Sequence, residues 1–205
     1  MTLRTYPYAE SNKIAVFLTR EFGKVRGIAH GARKPKSRFG SSLEPLTHVR
    51  LSFYRKEHQE LAVLQNCEII RAFPAYALTL EVNLHFSYFS ELLLEFTREQ
   101  QESGYVFRLA LAVLDVCRQV RIELLARYLE LWLLKLEGVL PDLEQKLPPQ
   151  LAAKARAMLK LPPDQLSGDE LSEAEIKRLE RWSEELIEYH LEKKLKSRKM
   201  LKELL

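Results

Sequence analysis

Near Pro74 the apolar residues of this chain stop recurring at strand spacing and begin to recur at helical spacing, a pattern kept almost to the end. Alternation with a period of two suits a strand with one buried face, whereas a period near 3.6 suits an amphipathic helix. The change predicts an α+β protein in which a β-rich domain, residues 1–73, precedes an all-α helical bundle domain, residues 74–205. A chain of 205 residues is long enough for one large or two small domains, each with a core.

The first part reads as five short strands. LRTYPY is followed by a turn over Ala9 to Asn12 and then by KIAVFLT, which is β-branched and apolar enough to be buried. GKVRGIAHGA comes next. HVRLSFY alternates cleanly, with Val49, Leu51 and Phe53 on one face and His48, Arg50, Ser52 and Tyr54 on the other. A last strand covers Leu61 to Ile70. Five strands in about 70 residues, with glycine-rich turns and no room for crossover helices, fit a small β-barrel such as the OB-fold.

Positive charge is concentrated around the third strand. From Arg20 to Arg38 there are seven basic residues (Arg20, Lys24, Arg26, Arg33, Lys34, Lys36, Arg38) and one acid, Glu21, with Phe22 and Phe39 among them. Glycine at 23, 27, 31 and 40 argues against a helix here, and Pro35 biases Lys34 toward extended geometry. Arg33 to Arg38 is therefore expected to be a loop between strands, able to present several cations to one phosphate backbone. The same composition also suits a solvated loop that keeps a small domain soluble.

The formal charge of +4 hides an asymmetry. Residues 1–80 carry 13 basic and 6 acidic side chains, a net of +7; residues 81–189 have a net of −7; and His190 to Leu205 carry six basic and two acidic, a net of +4. Such segregation suggests a basic N-terminal module, an acidic helical body and a basic tail. Cations near a helix C-terminus are favoured by the dipole, and the tail suits a second polyanion contact or a partner site equally well.

In the helical part, Pro74 suits a first helical turn. Leu78 to Gln101 reads as one helix, with Leu84, Tyr88, Leu92 and Phe96 at four-residue spacing, stopped by Ser103-Gly104. Val106 to Gly138 is expected to be two helices meeting near Gln119, the second apolar nearly all round and so central to a bundle. After a connector from Pro141 to Pro149 comes a short helix over Leu151 to Leu161, then breaks at Pro162-Pro163 and Ser167-Gly168. Ser172 and Glu175 form a capping box that opens a long helix ending in KKLKSRKMLKELL, with a stripe of Ile176, Leu179, Trp182, Leu186, Ile187, Leu191 and Leu195.

Catalytic constellations are missing. His30, His48, His58, His85 and His190 are scattered, and there is no HExxH, CxxC, P-loop or dinucleotide spacing. His85 and His190 read as satisfied bundle residues. Cys67 and Cys117, each in an apolar neighbourhood, read as buried thiols rather than a disulfide. No apolar run reaches the roughly 18 to 20 residues of a membrane span, and MTLRTYPYAES lacks a signal-peptide core. A non-enzymatic, cytoplasmic protein is expected.

Two stretches, LRTYPYAESNKIAVFLTREFGKVRGIAHGARKPKSRFGSSLEPLTHVRL and EYHLEKKLKSRKML, resemble RecO, the bacterial recombination-mediator family of the RecFOR pathway, and ARYLELWLLKLEGVLPDL does so more weakly. The resemblance implies an N-terminal OB-fold, a helical C-terminal domain, binding of single- and double-stranded DNA, annealing of complementary strands, association with the nucleoid, and partnership with RecR and with the acidic tail of the single-stranded DNA-binding protein SSB, through which RecA loading is assisted. Carried onto this sequence, it makes Lys24, Arg26, Arg33, Lys34, Lys36 and Arg38 the DNA-contact candidates, joined by Arg50 and Tyr54 from the alternation of their strand. Arg121 and Arg127 are the candidate cations at the rim of an SSB-tail pocket, or else solvate the bundle. The chain departs from the family twice. Where most members carry two cysteine pairs in a zinc-finger-like insert, residues 143–170 contain no cysteine, so no four-thiolate site and no metal cofactor are expected. Members usually have several more residues before LRTYPY, so the first strand is short or the start is misassigned. An adaptor that binds SSB or RecR and holds DNA weakly is the alternative, and an RNA-binding OB protein a third.

Overall fold

HVRLSFY forms β4, His48–Tyr54, and its burial alternates as its sequence does, with Val49 buried and Arg50, Ser52 and Tyr54 exposed. The computed structural model describes residues 1–56, 59–73, 78–167 and 171–204. His58, the expected helical start at Pro74 and the expected break at Gly168 lie outside the described residues. With β1 (Thr2–Tyr8), β2 (Asn12–Thr19), β3 (Gly23–Ala29) and β5 (Ala62–Arg71), β4 builds one sheet of order β1-β2-β3-β5-β4. Neighbours are antiparallel except β3 and β5, which run parallel through Gly27 opposite Ala62 and Ile28 opposite Val63.

The sheet is not closed, so the expected barrel holds only loosely. Where a closing ladder would run, Thr2 donates to the Thr47 carbonyl at 2.9 Å and accepts from the Leu46 amide at 2.7 Å, tying β1 to the residues that lead into β4. The concave face buries Ala15, Phe17, Ala29, Leu64, Val49 and Cys67, and a 3-10 turn at Gly40–Leu43 plugs it with Phe39 and Leu43. A Cβ on Gly27 would stand 2.4 Å from Leu64 Cδ2, so glycine is what allows Leu64 to lie over β3.

Two compact units divide the chain, Met1–Phe107 and Arg108–Leu205, so the first helix after the sheet belongs to the sheet's own unit. A helical period does not say which core a helix joins. Helix α1 (Leu80–Phe96), capped by the Thr79 hydroxyl, packs on β1, and Ser90 donates to the Leu3 carbonyl. It ends at Phe96, short of the expected Gln101, because the next residues dock on the β2–β3 hairpin: the Lys24 amide donates to Arg98 O at 2.9 Å and the Ser103 amide to Arg20 O at 3.2 Å. Gly104, expected as a stop, instead opens α2 (Gly104–Asp115).

In the second unit α3 (Ile122–Leu136) follows a break at residues 116–121, near the expected junction, and is buried along most of its length as an all-round apolar helix should be. It packs against α6 (Glu173–Leu191), while the short α4 (Leu143–Lys146) packs against α5 (Pro149–Met158). The Ser172–Glu175 capping box is present as read. The tail is not one helix. Glu192, at φ 54°, ends α6 in a left-handed turn, and α7 (Lys196–Leu204) starts anew.

Glu175 also ties α5 to α6. Lys154 Nζ donates to both of its carboxylate oxygens at 2.8 Å and the Ser172 amide donates to Oε2 at 2.8 Å; these bonds hold its pKa down, at about 2. Because the folded pKa lies below the unfolded one, this contribution is full above about pH 4.5 and is lost as pH falls toward 2. Glu175→Gln keeps the capping-box geometry without the charge. The variant is expected to lose less Tm than the native chain between pH 5 and pH 2; equal losses in a calorimetric titration would contradict the assignment.

Candidate nucleic-acid interface

Arg33, Lys34, Lys36 and Arg38 are exposed on a turn fixed at both ends. At its start the Gly31 amide donates to Asn12 Oδ1 and the Arg33 amide to Ser11 O, both at 2.9 Å, while Arg33 Nη1 donates to Ala9 O at 3.1 Å. The turn thus leans on the β1–β2 connection. The Lys34 amide bonds Gly31 O and the Ser37 amide bonds Lys34 O, winding two turns in succession around Pro35. At its end Arg38 lies over the buried Phe39 ring, 5.0 Å from the centroid, and donates from Nη2 to Leu64 O at 3.4 Å. Ladder pairing between β3 and β5 stops at Val63, and Arg38 reaches the next carbonyl along.

Lys24 and Arg26 do not join this group. Lys24 is five residues from the loop end of β3, about 17 Å at 3.3 Å per residue. Both side chains lie on the sheet face opposite Val25 and Ala29, where Lys24 Nζ donates to Leu94 O at 3.0 Å, and Arg26 Nε stands 2.7 Å from Glu99 Oε1 and Nη2 3.9 Å from Glu60 Oε2. They line a cavity of about 580 Å³ with Tyr6, Ile14, Val16, Leu61 and the carboxylates of Glu60, Glu95 and Glu99. Mixed charge makes this a poor polyanion surface. Arg50 stands on the exposed face of β4, 3.8 Å from Glu68 across the ladder, and Tyr54 is 44 % exposed at the end of the same strand.

In the second unit, Arg121 is the N-cap residue of α3, 3.8 Å from Glu123 and partly exposed. Arg127 is not at a rim. It is 1 % exposed and, among the described residues, the largest fully buried side chain, with Nη2 bonded to Glu130 Oε1 at 2.6 Å and Nη1 3.4 Å from Glu180 Oε2. Ser183 donates to Glu130 Oε2 at 2.5 Å, Arg198 to Glu180 at 2.5 Å, and Lys202 to Glu184 at 2.7 Å. Two cations of the basic tail therefore serve to hold α7 on α6. The signal missed in sequence is the charged pair Arg127 and Glu130, three residues apart in the middle of a helix whose other charges, Glu123 and Lys135, stand in its first and last turns.

The two cysteine pairs of the zinc-finger-like insert are not in this sequence, whose two cysteines, Cys67 and Cys117, are buried thiols. Among the described residues no helix is long and apolar enough to cross a membrane.

Comparison with known proteins fits this arrangement. The family model "Recombination protein O N terminal" matches residues 1–73, and "Recombination protein O C terminal" matches residues 77–147. The chain belongs to the RecO family. Similar curated proteins are the DNA repair protein RecO of Koribacter versatilis, 35 % identical over 143 residues, or 70 % of this chain and 59 % of that one, and that of Syntrophus aciditrophicus, 37 % identical over 143 residues, 69 % and 55 % respectively. A third, from Pelotomaculum thermopropionicum, is 34 % identical over 145 residues, covering 71 % and 56 %. This RecO-family chain thus spans a little more than half the length of the relatives it matches. The basic turn lies inside the N-terminal family segment, whereas α5 to α7 lie outside both.

Proposed function

We propose that this chain acts in DNA repair and homologous recombination as a non-enzymatic mediator that binds single- and double-stranded DNA, anneals complementary strands, and works with RecR and the SSB tail to assist RecA loading. The observation that supports this most is the turn from Arg33 to Arg38, where four cations stand exposed on a backbone held at both ends by the sheet. A fixed turn binds a phosphate backbone without the entropic loss of ordering itself first, and cations there screen the repulsion between two strands during annealing. On the helical unit, Arg121 remains a candidate for the SSB-tail rim, and Arg127, being buried, does not.

Fluorescence anisotropy of a labelled single-stranded oligonucleotide at several salt concentrations tests the reading. Four phosphate contacts at roughly 0.7 each give a slope of log K against log salt near −3. Replacing Arg33, Lys34, Lys36 and Arg38 together by alanine should flatten that slope, whereas Lys24→Ala with Arg26→Ala should leave it nearly as steep, since carboxylates and a carbonyl already engage those cations. A native slope in the fourfold variant would refute the assignment, and absence of binding by the native chain would favour the adaptor.

A further inference from the structure

The turn supplies cations but no ring for a base, and single strands are held best where both are present. Phe22 offers such a ring. It is 54 % exposed at the tip of the β2–β3 hairpin, and its ring meets Phe53 edge-on with centroids 5.7 Å apart. The tip is rigid: Thr19 Oγ1 accepts from the Phe22 amide at 3.0 Å and donates to Gly23 O at 2.9 Å, and the Lys24 amide just beyond is bonded to Arg98 O. Phe53 is also the cross-strand partner of Leu64, the residue whose carbonyl takes the Arg38 guanidinium. Cross-strand neighbours stand about 5 Å apart, so one end of the basic turn and the Phe22 ring are joined through two residues of the same ladder.

We propose that Phe22, braced by Phe53, is the base-stacking element of this chain, and that a single strand crosses from the Arg38 end of the basic turn onto that ring. The inference rests on the DNA-binding reading above and deepens it. A stacked base is lost without loss of a phosphate contact, so the two readings separate in one experiment. In the anisotropy titration Phe22→Ala is expected to weaken single-strand binding about tenfold while keeping the native salt slope, and to bind an abasic strand of equal length as tightly as the native chain does. Phe22→Trp should retain affinity, and the indole fluorescence it adds to that of Trp132 and Trp182 should be quenched on binding. Native chain that binds with a steep salt slope but is unaffected by Phe22→Ala, or added fluorescence in the Phe22→Trp variant that stays unquenched in the bound complex, would overturn the stacking role and leave the electrostatic reading standing. Failure of the native chain to bind would remove both.

Discussion

Replacing Arg127 by alanine should destabilise the helical unit by about 3–5 kcal/mol, because it takes the guanidinium away from a buried carboxylate, that of Glu130. Glu130 is 0 % exposed, and with Arg127 removed its Oε1 loses a 2.6 Å ionic bond while Oε2 keeps the Ser183 hydroxyl, a neutral donor. Glu180 loses the Arg127 cation at the same time and retains that of Arg198. The damage therefore extends from α3 through α6 to α7. Trp132 on α3 and Trp182 on α6 place native fluorescence reporters on the affected helices, so a urea titration followed by tryptophan emission reads the loss directly. Replacing Arg127 by Met together with Glu130 by Leu should cost less than the single change, since a buried pair exchanged for apolar residues of similar volume is often close to neutral. A single-variant loss below about 1 kcal/mol would mean that water reaches Glu130 and that the network is not what holds these helices together.

Which parts of this molecule can be read from sequence follows from how local their causes are. Alternation fixed β4 to the residue, and the Ser172 hydroxyl fixed the start of α6, whereas α1 starts at Leu80 behind the Thr79 cap, two residues after the expected Leu78. Helix ends decided by distant partners were not legible. The end of α1 depends on a bond between Arg98 and Lys24, more than seventy residues earlier, and the break at Glu192 turns α7 so that Arg198 reaches back to Glu180. Leu191 and Leu195 keep the stripe of α6 in phase across that break, so periodicity alone runs the two helices together. The candidate interface divides in the same way. Composition was enough to find the cations at 33, 34, 36 and 38, because glycine and proline confine them to a turn. The separate fate of Lys24 and Arg26 required Leu94 and Glu99, which only the docking of α1 and its trailing segment brings to β3. Arg127 was misplaced for a related reason, since a cation in an apolar helix looks like a surface residue until its acids on α3 and α6 are in place.

Replacing Gly23 by alanine should destabilise the first unit more than any other single methyl addition on the β2–β3 hairpin. Two costs combine. At φ +61° the backbone is left-handed, which a Cβ disfavours by about 1 kcal/mol, and the added carbon would stand 2.2 Å from Gln101 O and 2.5 Å from Arg98 O. Both obstacles are backbone atoms, so no rotamer change relieves them. Either the hairpin tip or the 98–101 segment must move, breaking the bond from the Lys24 amide to Arg98 O and the bridges between Glu99 and residues 23 and 24. With one buried backbone bond lost as well, the sum comes to roughly 2–4 kcal/mol. Hydrogen exchange at the Lys24 amide is the specific readout, and protection there should fall by at least about tenfold, the equivalent of one lost backbone bond. Because Phe22 precedes this glycine, the displaced tip should also lose the affinity assigned to its ring while the turn at 33–38 keeps its salt slope. Retained protection at Lys24 in the alanine variant would show that the segment after α1 does not clamp the hairpin, and would remove the rigid mount on which the stacking role of Phe22 depends.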